Sequence, residues 1–151
     1  MDKKIDFHFE KPEENIGYLL WQATMIWQKQ MNRALDEINL THTQFVLMAA
    51  LGWLLKNSDS VTQSEIADHS NTDRMMVSKI LRTLQKNGLI KRKEHETDTR
   101  AKCVFLTDKG IDTLQKAIEI KTLANNQFFG KLSDKHYFGN ELRNITQQNV
   151  A

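Results

Sequence analysis

Residues 73–90 read DRMMVSKILRTLQKNGLI, a segment that predicts one capped helix with two chemically different faces. Its apolar side chains recur at spacings of three and four, the period of a single helical stripe; they are Val77, Ile80, Leu81 and Leu84. Asp73 precedes the stripe and can accept hydrogen bonds from the free N–H groups of the first turn. Gly88 follows the stripe and supplies the left-handed residue that ends many helices.

The other face of this predicted helix is rich in hydrogen-bond donors and has no carboxylate after the cap; its residues are Arg74, Ser78, Lys79, Arg82 and Lys86. A solvated helix usually mixes charges of both signs, so an acid-free face indicates a polyanionic partner. The alternative is an ordinary surface helix that happens to be basic. The segments on either side of the helix favour the first interpretation.

The segment before the basic helix predicts a second, shorter helix. Thr62 and Glu65 have the spacing of a capping box, which opens a helix from Gln63 to about His69. Residues 69–72 then form a tight polar connection. A short capped helix, a turn and a basic amphipathic helix together predict a helix-turn-helix unit.

The segment after the basic helix predicts a β-hairpin. Residues 89–90 and 101–106 have the composition of strands, and the polar segment 91–100 between them is too charged to be core. Nine of the 21 Lys and Arg residues, but only three of the 19 acids, lie within residues 74–102. The formal charge of +2 therefore divides into +6 for this region and −4 for the remainder, which places the basic residues on the helix-turn-helix and its wing.

Long helices are predicted at both ends of the chain, and residues 1–12 form an arm that is either loose or docked on a partner subunit. The helices run from Glu13 to about Asn39, from a cap at Thr41 to about Leu55, from a cap at Thr107 to about Phe129, and from a cap at Ser133 onward. The last segments carry a dense apolar set: Phe128, Phe129, Tyr137, Phe138, Leu142 and Ile145. We expect a second copy of the chain to cover this set, although a helix folding back on its own core is the alternative.

The composition indicates one mostly α-helical (α+β) domain over residues 1–151, with 40% apolar and 26% charged residues. A single cysteine, Cys103, excludes an internal disulfide and suits a reducing compartment. Because neither a signal peptide nor a membrane-length apolar run is visible, we expect a cytoplasmic protein.

The order of these elements resembles the multiple-antibiotic-resistance regulator (MarR) family of bacterial transcription factors. The resemblance is carried by Leu40-Thr41-x-x-Gln44-Phe45, Leu84-x-x-x-Gly88-Leu89-Ile90-x-Arg92, Asp98-x-Arg100 and Leu106-Thr107-x-x-Gly110. It implies a winged helix-turn-helix over about residues 62–106, with a two-stranded β-wing and with dimerisation helices over 13–39 and 107–149. It further implies a homodimeric transcriptional regulator, a repressor in our interpretation, which binds a palindromic operator in double-stranded DNA.

The basic helix is expected in a major groove, with Arg74 reading guanine, Ser78 and Lys79 reading a base or holding phosphate, and Arg82 on phosphate. Met75 and Met76 depart from the small hydroxyl residues expected there, and one of them is available for a thymine methyl, although Met76 is alternatively a packing residue; this leaves the base readout open. The family resemblance implies that Arg100 enters a minor groove while Asp98 orients it. Further phosphate contacts are expected from Thr62, Gln63 and Ser64 and from the basic residues of the wing, although some of the latter are alternatively only solvated; these are Lys91, Arg92, Lys93 and Lys102.

Family members often bind a small aromatic or anionic effector, and Trp21, Met25, Trp27, Phe45 and Trp53 are available to line such a cavity or simply to pack in the core. The five histidines lack metal-ligand spacing, and the sequence contains no nucleophile with a base and no paired acids. We therefore expect no metal, no cofactor and no enzymatic activity. The alternative function is a winged-helix module that binds a protein rather than DNA.

Overall fold

The computed structural model describes residues 3–94, 97 and 102–147. Six α-helices and one two-stranded antiparallel sheet follow one another along the chain. They are α1 (Ile16–Leu35), α2 (His42–Leu54), α3 (Gln63–Ser70), α4 (Arg74–Lys86), β1 (Ile90–Glu94), β2 (Lys102–Leu106), α5 (Asp108–Phe129) and α6 (Lys135–Gln147), with 3-10 turns at Pro12–Glu14 and Asp36–Ile38. The predicted α+β winged-helix architecture is confirmed.

The first helix is shorter than predicted at both ends. Asn15, and not Glu13, is its N-cap, because the Asn15 side chain accepts a hydrogen bond from the Tyr18 N–H over 2.9 Å. Pro12–Glu14 forms a separate turn. Polar capping ability at Asn15 thus outweighs the favourable dipole position of the preceding acids.

The caps of α2 and α4 agree with the prediction. Thr41 forms a complete capping box with Gln44, and the Asp73 carboxylate accepts from the Met76 N–H over 3.0 Å. Gly88 has a φ of +77° and turns the chain into β1.

The cap of the last helix differs from the prediction. The Asp134 carboxylate, not Ser133, accepts from the Tyr137 N–H over 2.9 Å. A carboxylate is as good a cap as a hydroxyl, so sequence alone did not separate these adjacent residues.

The hydrophobic core lies in the middle of the chain, where α2 packs against α3, α4, β2 and α5. Its fully buried side chains include Leu47, Met48, Leu51, Val61, Ile66, Val77, Leu81, Leu84 and Val104. The hairpin joins this core through the Val104 N–H, which donates to the Val61 carbonyl over 2.7 Å. The wing is therefore packed on the helix-turn-helix at its base.

A close backbone contact fixes α5 to the end of the basic helix. The Thr107 hydroxyl donates to the Gly88 carbonyl over 2.6 Å and accepts from the Gly110 N–H over 2.9 Å. A Cβ at Gly110 would lie 2.0 Å from the Leu89 carbonyl oxygen. Only glycine allows α5 to start this close to the strand, which explains the glycine three residues after the cap.

Helices α1 and α6 leave large apolar side chains in solvent. Ile16 is 83% exposed, and Leu19, Leu20, Trp21, Tyr137 and Ile145 are exposed as well. None of the helices in the described ranges combines the length and apolarity that a membrane crossing requires.

Candidate nucleic-acid interface

Helix α4 presents the predicted donor-rich face to solvent. Arg74, Lys79 and Arg82 are exposed and Ser78 is half-buried, whereas the apolar stripe of Val77, Leu81 and Leu84 is buried. Met75 is 82% exposed, so it is free of the core and available for an apolar base contact. In the described part of α4 no acid follows the cap.

Arg74 has one ionic neighbour in the described chain. Its guanidinium lies 3.8 Å from the Asp68 carboxylate of α3, and both side chains are more than two-thirds exposed. An exposed ion pair at this distance contributes little to stability because water screens it. Arg74 can therefore leave Asp68 for DNA at little cost.

Arg92 of β1 forms hydrogen bonds within the protein that the sequence did not indicate. The sequence analysis left it as a phosphate contact or a solvated side chain. It is half-buried, and its Nε donates to the Gln85 amide oxygen over 2.6 Å. Its guanidinium also donates to the Gln63 amide oxygen over 3.0 Å. Arg92 thereby links the wing to α3 and to α4, so the Gln63 side chain is engaged within the protein.

The start of α3 differs in detail from the predicted capping box. The Thr62 hydroxyl accepts from the Glu65 N–H over 3.2 Å, as expected. The Glu65 carboxylate, however, accepts a hydrogen bond from the Thr62 hydroxyl and not from the Thr62 backbone N–H. Ser64 is exposed beside them and remains accessible to a phosphate.

The wing contributes two exposed lysines near its end. Lys102 pairs with Glu94 in the ladder, and the neighbouring Lys93 pairs with Cys103. The Lys93 ammonium lies 5.6 Å from the Phe105 ring, which is within the range of a cation–π interaction. Asp98 and Arg100 lie outside the described residues.

The five residues that were predicted to line an effector cavity have different surroundings in the structure. Trp53 is 58% exposed and lines a largely apolar groove of about 690 Å³ between α2, β2 and α5, together with Phe105, Ile111 and Ile118. Trp21, Met25 and Phe45 are not part of this lining. Phe45 instead contacts a buried lysine of α5.

That buried lysine, Lys121, is the least expected feature of the molecule. Its ammonium lies 3.1 Å from the His42 Nδ1, 4.4 Å from the Phe45 ring and 4.9 Å from the Trp27 ring. Lys121 and His42 are each only 6% exposed. We call Lys121, His42, Trp27 and Phe45 the buried base cluster.

The cluster holds its two bases in defined protonation states. Burial, and secondly the Lys121 charge, lowers the pKa of His42 from 6.5 to about 4. Burial lowers the pKa of Lys121 from 10.5 to about 8. At pH 7 His42 is therefore neutral, and its Nδ1 accepts a hydrogen bond from the Lys121 ammonium. Sequence reasoning missed the pair because Lys121 and His42 are 79 positions apart.

Comparisons with known proteins place this geometry among transcription regulators. The sequence model of the ArnR1-like winged-helix domain matches residues 36–123. The HTH-type transcriptional regulator YdcH of Bacillus subtilis strain 168 is 36% identical over 137 residues, which are 91% of this chain and 93% of that protein.

Solved structures share the fold over nearly the whole chain. The transcriptional regulator MosR of M. tuberculosis, solved in complex with DNA, superposes with a TM-score of 0.75 at 25% identity and covers 89% of this chain and 95% of its own. A MarR-family regulator from Rhodococcus sp. RHA1 superposes with a TM-score of 0.77 at 19% identity, covering 92% and 94%.

Proposed function

The chain belongs to the ArnR1-like winged-helix proteins and is a MarR-family DNA-binding transcriptional regulator, and we propose that it acts as a homodimeric repressor on a palindromic operator. The observation that carries the proposal is the exposed, acid-free outer face of α4 within a helix-turn-helix. A related regulator of the same fold has been solved with DNA bound. We propose that the protein works in the cytoplasm, where its operator would be, and that it has no catalytic role.

At each half-site α4 lies in the major groove with its N-terminal end toward the bases. In this proposal the exposed Arg74 bonds two acceptors of one guanine, with Met75, Ser78 and Lys79 on adjacent base edges or phosphates. The phosphate contacts come from Ser64, Arg82, Lys93 and Lys102, and from Thr62 and Gln63 through their backbone. The proposed minor-groove contact belongs to Arg100, oriented by Asp98.

The homodimer is supported by the apolar faces of α1 and α6. An 83% exposed Ile16 and a 64% exposed Ile145 are unfavourable in water, and both belong to larger exposed apolar sets. Pairing these faces with a second copy buries them around a two-fold axis. The axis would present two α4 helices about one DNA turn apart, roughly 34 Å.

We propose that a small aromatic or anionic effector uses the groove beside Trp53. Its apolar lining suits an aromatic ring, and the Lys56 ammonium, 4.7 Å from the Trp53 ring, suits an acidic substituent. Trp53 would report such binding directly through quenching of its fluorescence. A Trp53→Phe variant that keeps the same quenching would exclude this location.

The decisive experiment is a salt titration of duplex binding, with the DNA that flanks the protein's own gene as probe. Neutralisation of several phosphates predicts a steep linear fall of log affinity with log salt. Footprinting on the same DNA should show two symmetric half-sites. Weak binding with a flat salt dependence would instead favour the alternative, a winged-helix module for protein partners.

A further inference from the structure

Two bases face each other inside the buried base cluster without an acid between them. Helix α2 contributes His42 as its single titratable residue. Every other titratable side chain on the helices and the turn around the pair is exposed: Tyr18, Lys29 and Arg33 of α1, Asp36 and Glu37 of the turn, and Asp108, Lys109, Asp112, Lys116 and Glu119 of α5. Within the described chain, neither base forms an ion pair.

The pair lies where the DNA-binding half, from α2 to β2, meets α1 and α5. Helix α2 packs on α3, α4 and β2, whereas Lys121 belongs to α5 and Trp27 to α1. One further bond joins α1 to α5 beside the pair, and another crosses the junction between α2 and α1. The Trp27 indole N–H donates to Asn125 over 2.9 Å, and the His42 N–H donates to the Asn32 amide oxygen over 2.8 Å.

We propose that the Lys121–His42 contact is a proton-responsive joint, and that a proton taken up by His42 loosens the DNA-binding half from α1 and α5 and weakens DNA binding. The proposal rests on the DNA-binding function proposed above. It makes Lys121 and His42 positioning residues that act on DNA through the placement of α2 and α4.

The chemistry of Nδ1 determines why added protons break the Lys121–His42 contact and do not strengthen it. The lone pair of Nδ1 that accepts the hydrogen bond from Lys121 is the same lone pair that binds an added proton. Protonation therefore removes the hydrogen bond and places an imidazolium against an ammonium. His42 also occupies the first residue of α2, where the positive end of the helix dipole opposes a further positive charge.

Acidification consequently favours the separated, solvated form of the joint. A solvated imidazole titrates near 6.5, whereas His42 in contact titrates at about 4. By linkage, lowering the pH from 7.5 to 5.5 raises the ratio of separated to closed joint about tenfold. Between these two pH values the wild type can be compared with a variant that has no titratable group at position 42.

The test compares DNA affinity at pH 7.5 and 5.5, at constant ionic strength, for the full-length wild type and for His42→Asn. The Asn Oδ1 takes the place of Nδ1 as acceptor but binds no proton. His136→Asn, at an exposed histidine of α6, is the matched control. We expect the wild type and the control to lose up to about tenfold more affinity on acidification than His42→Asn. Identical pH profiles for all three proteins would overturn the proposal.

An NMR measurement tests the Lys121–His42 contact independently of DNA binding. The indole N–H of Trp27 should shift with the His42 titration in the wild type and stay constant in His42→Asn, with the exposed Trp21 and Trp53 as internal references. If the wild type binds no DNA at pH 7.5, the proposed function fails while this readout still decides the joint. A Trp27 signal that is insensitive to the state of His42 overturns the joint whatever the DNA result.

Lys121→Met keeps the test decisive if His42→Asn fails to fold. Removing the ammonium eliminates one cause of the lowered His42 pKa, so the pH midpoint of the Trp27 shift should move upward. An unchanged midpoint would contradict the proposed pairing.

Discussion

Arg92 of the wing donates from Nε to the amide oxygen of Gln85 in α4 over 2.6 Å. This bond, together with the one to Gln63, ties the hairpin to both helices of the helix-turn-helix. The direction of the wing relative to the groove-reading helix is thus set inside the protein before DNA is bound.

Arg92→Met should therefore lower both stability and DNA affinity. Loss of two hydrogen bonds from a charged, half-buried group should cost about 2 kcal/mol of unfolding free energy, measured by urea denaturation. A double-mutant cycle with Gln85→Ala should give a coupling of at least about 0.5 kcal/mol. Additive effects would mean that the Arg92–Gln85 bond is not formed in solution.

Gly110→Ala should destabilise the protein by about 1–3 kcal/mol, because the new methyl group overlaps the Leu89 carbonyl oxygen. Gly139→Ala in α6 is the matched control, since its nearest neighbour is a movable Arg143 side chain at 3.6 Å. That control should be neutral or slightly stabilising, because alanine is the better helix former. Equal urea midpoints for the two variants would exclude the close contact.

The pH dependence of stability follows from the two lowered pKa values. Between pH 4 and 6.5 the unfolded chain binds the His42 proton and the folded chain does not, so stability should rise with pH by at most about 3 kcal/mol. Between about pH 8 and 10.5 Lys121 should add a second rise for the same reason. In urea titrations, His42→Asn should flatten the acidic rise and leave the alkaline one.

Arg74→Ala and Arg82→Ala should separate base reading from phosphate binding. Arg74→Ala should cost about 1–3 kcal/mol on the operator and relax the preference at one base pair. Arg82→Ala should weaken all duplexes alike and reduce the salt slope by about 1. Lys116→Ala, on the exposed side of α5, is the control, and both affinities should stay unchanged in it.

Ile16→Asp should shift the proposed homodimer toward monomer in sedimentation equilibrium, because a carboxylate would enter the apolar interface. DNA affinity should fall with it, since two half-sites would no longer be bound together. Thr122→Asp, at an exposed polar position of α5, is the comparison variant. A monomeric wild type at micromolar concentration would remove the basis of this prediction.

The fold was predictable wherever a local pattern determines structure. The stripe of Val77, Leu81 and Leu84, the cap at Asp73 and the turn at Gly88 were all identified correctly. Such features depend on neighbours within one or two helical turns. The errors lie at two helix starts. At α1 the capping residue Asn15 follows two acids that also favour a helix start, and at α6 Asp134 stands next to Ser133, which is an equally good cap.

The candidate site was predictable in its charges but not in its internal contacts. An exposed lysine and a buried lysine look identical in sequence, so Lys121 could not be distinguished from Lys116 without the packing of α1 and α2. Arg92 likewise gained its partners from segments 7 and 29 residues away. The predicted effector set stays a prediction; Trp53 and Phe45 lie on the same helix but have different surroundings, which the sequence did not indicate.

The base of the hairpin is closed by two contacts outside its own ladder, Thr107 to Gly88 and Val104 to Val61. The first of these contacts bonds the start of α5 directly to the chain just after α4, so a displacement of α5 would be passed to the end of α4 without passing through the strands.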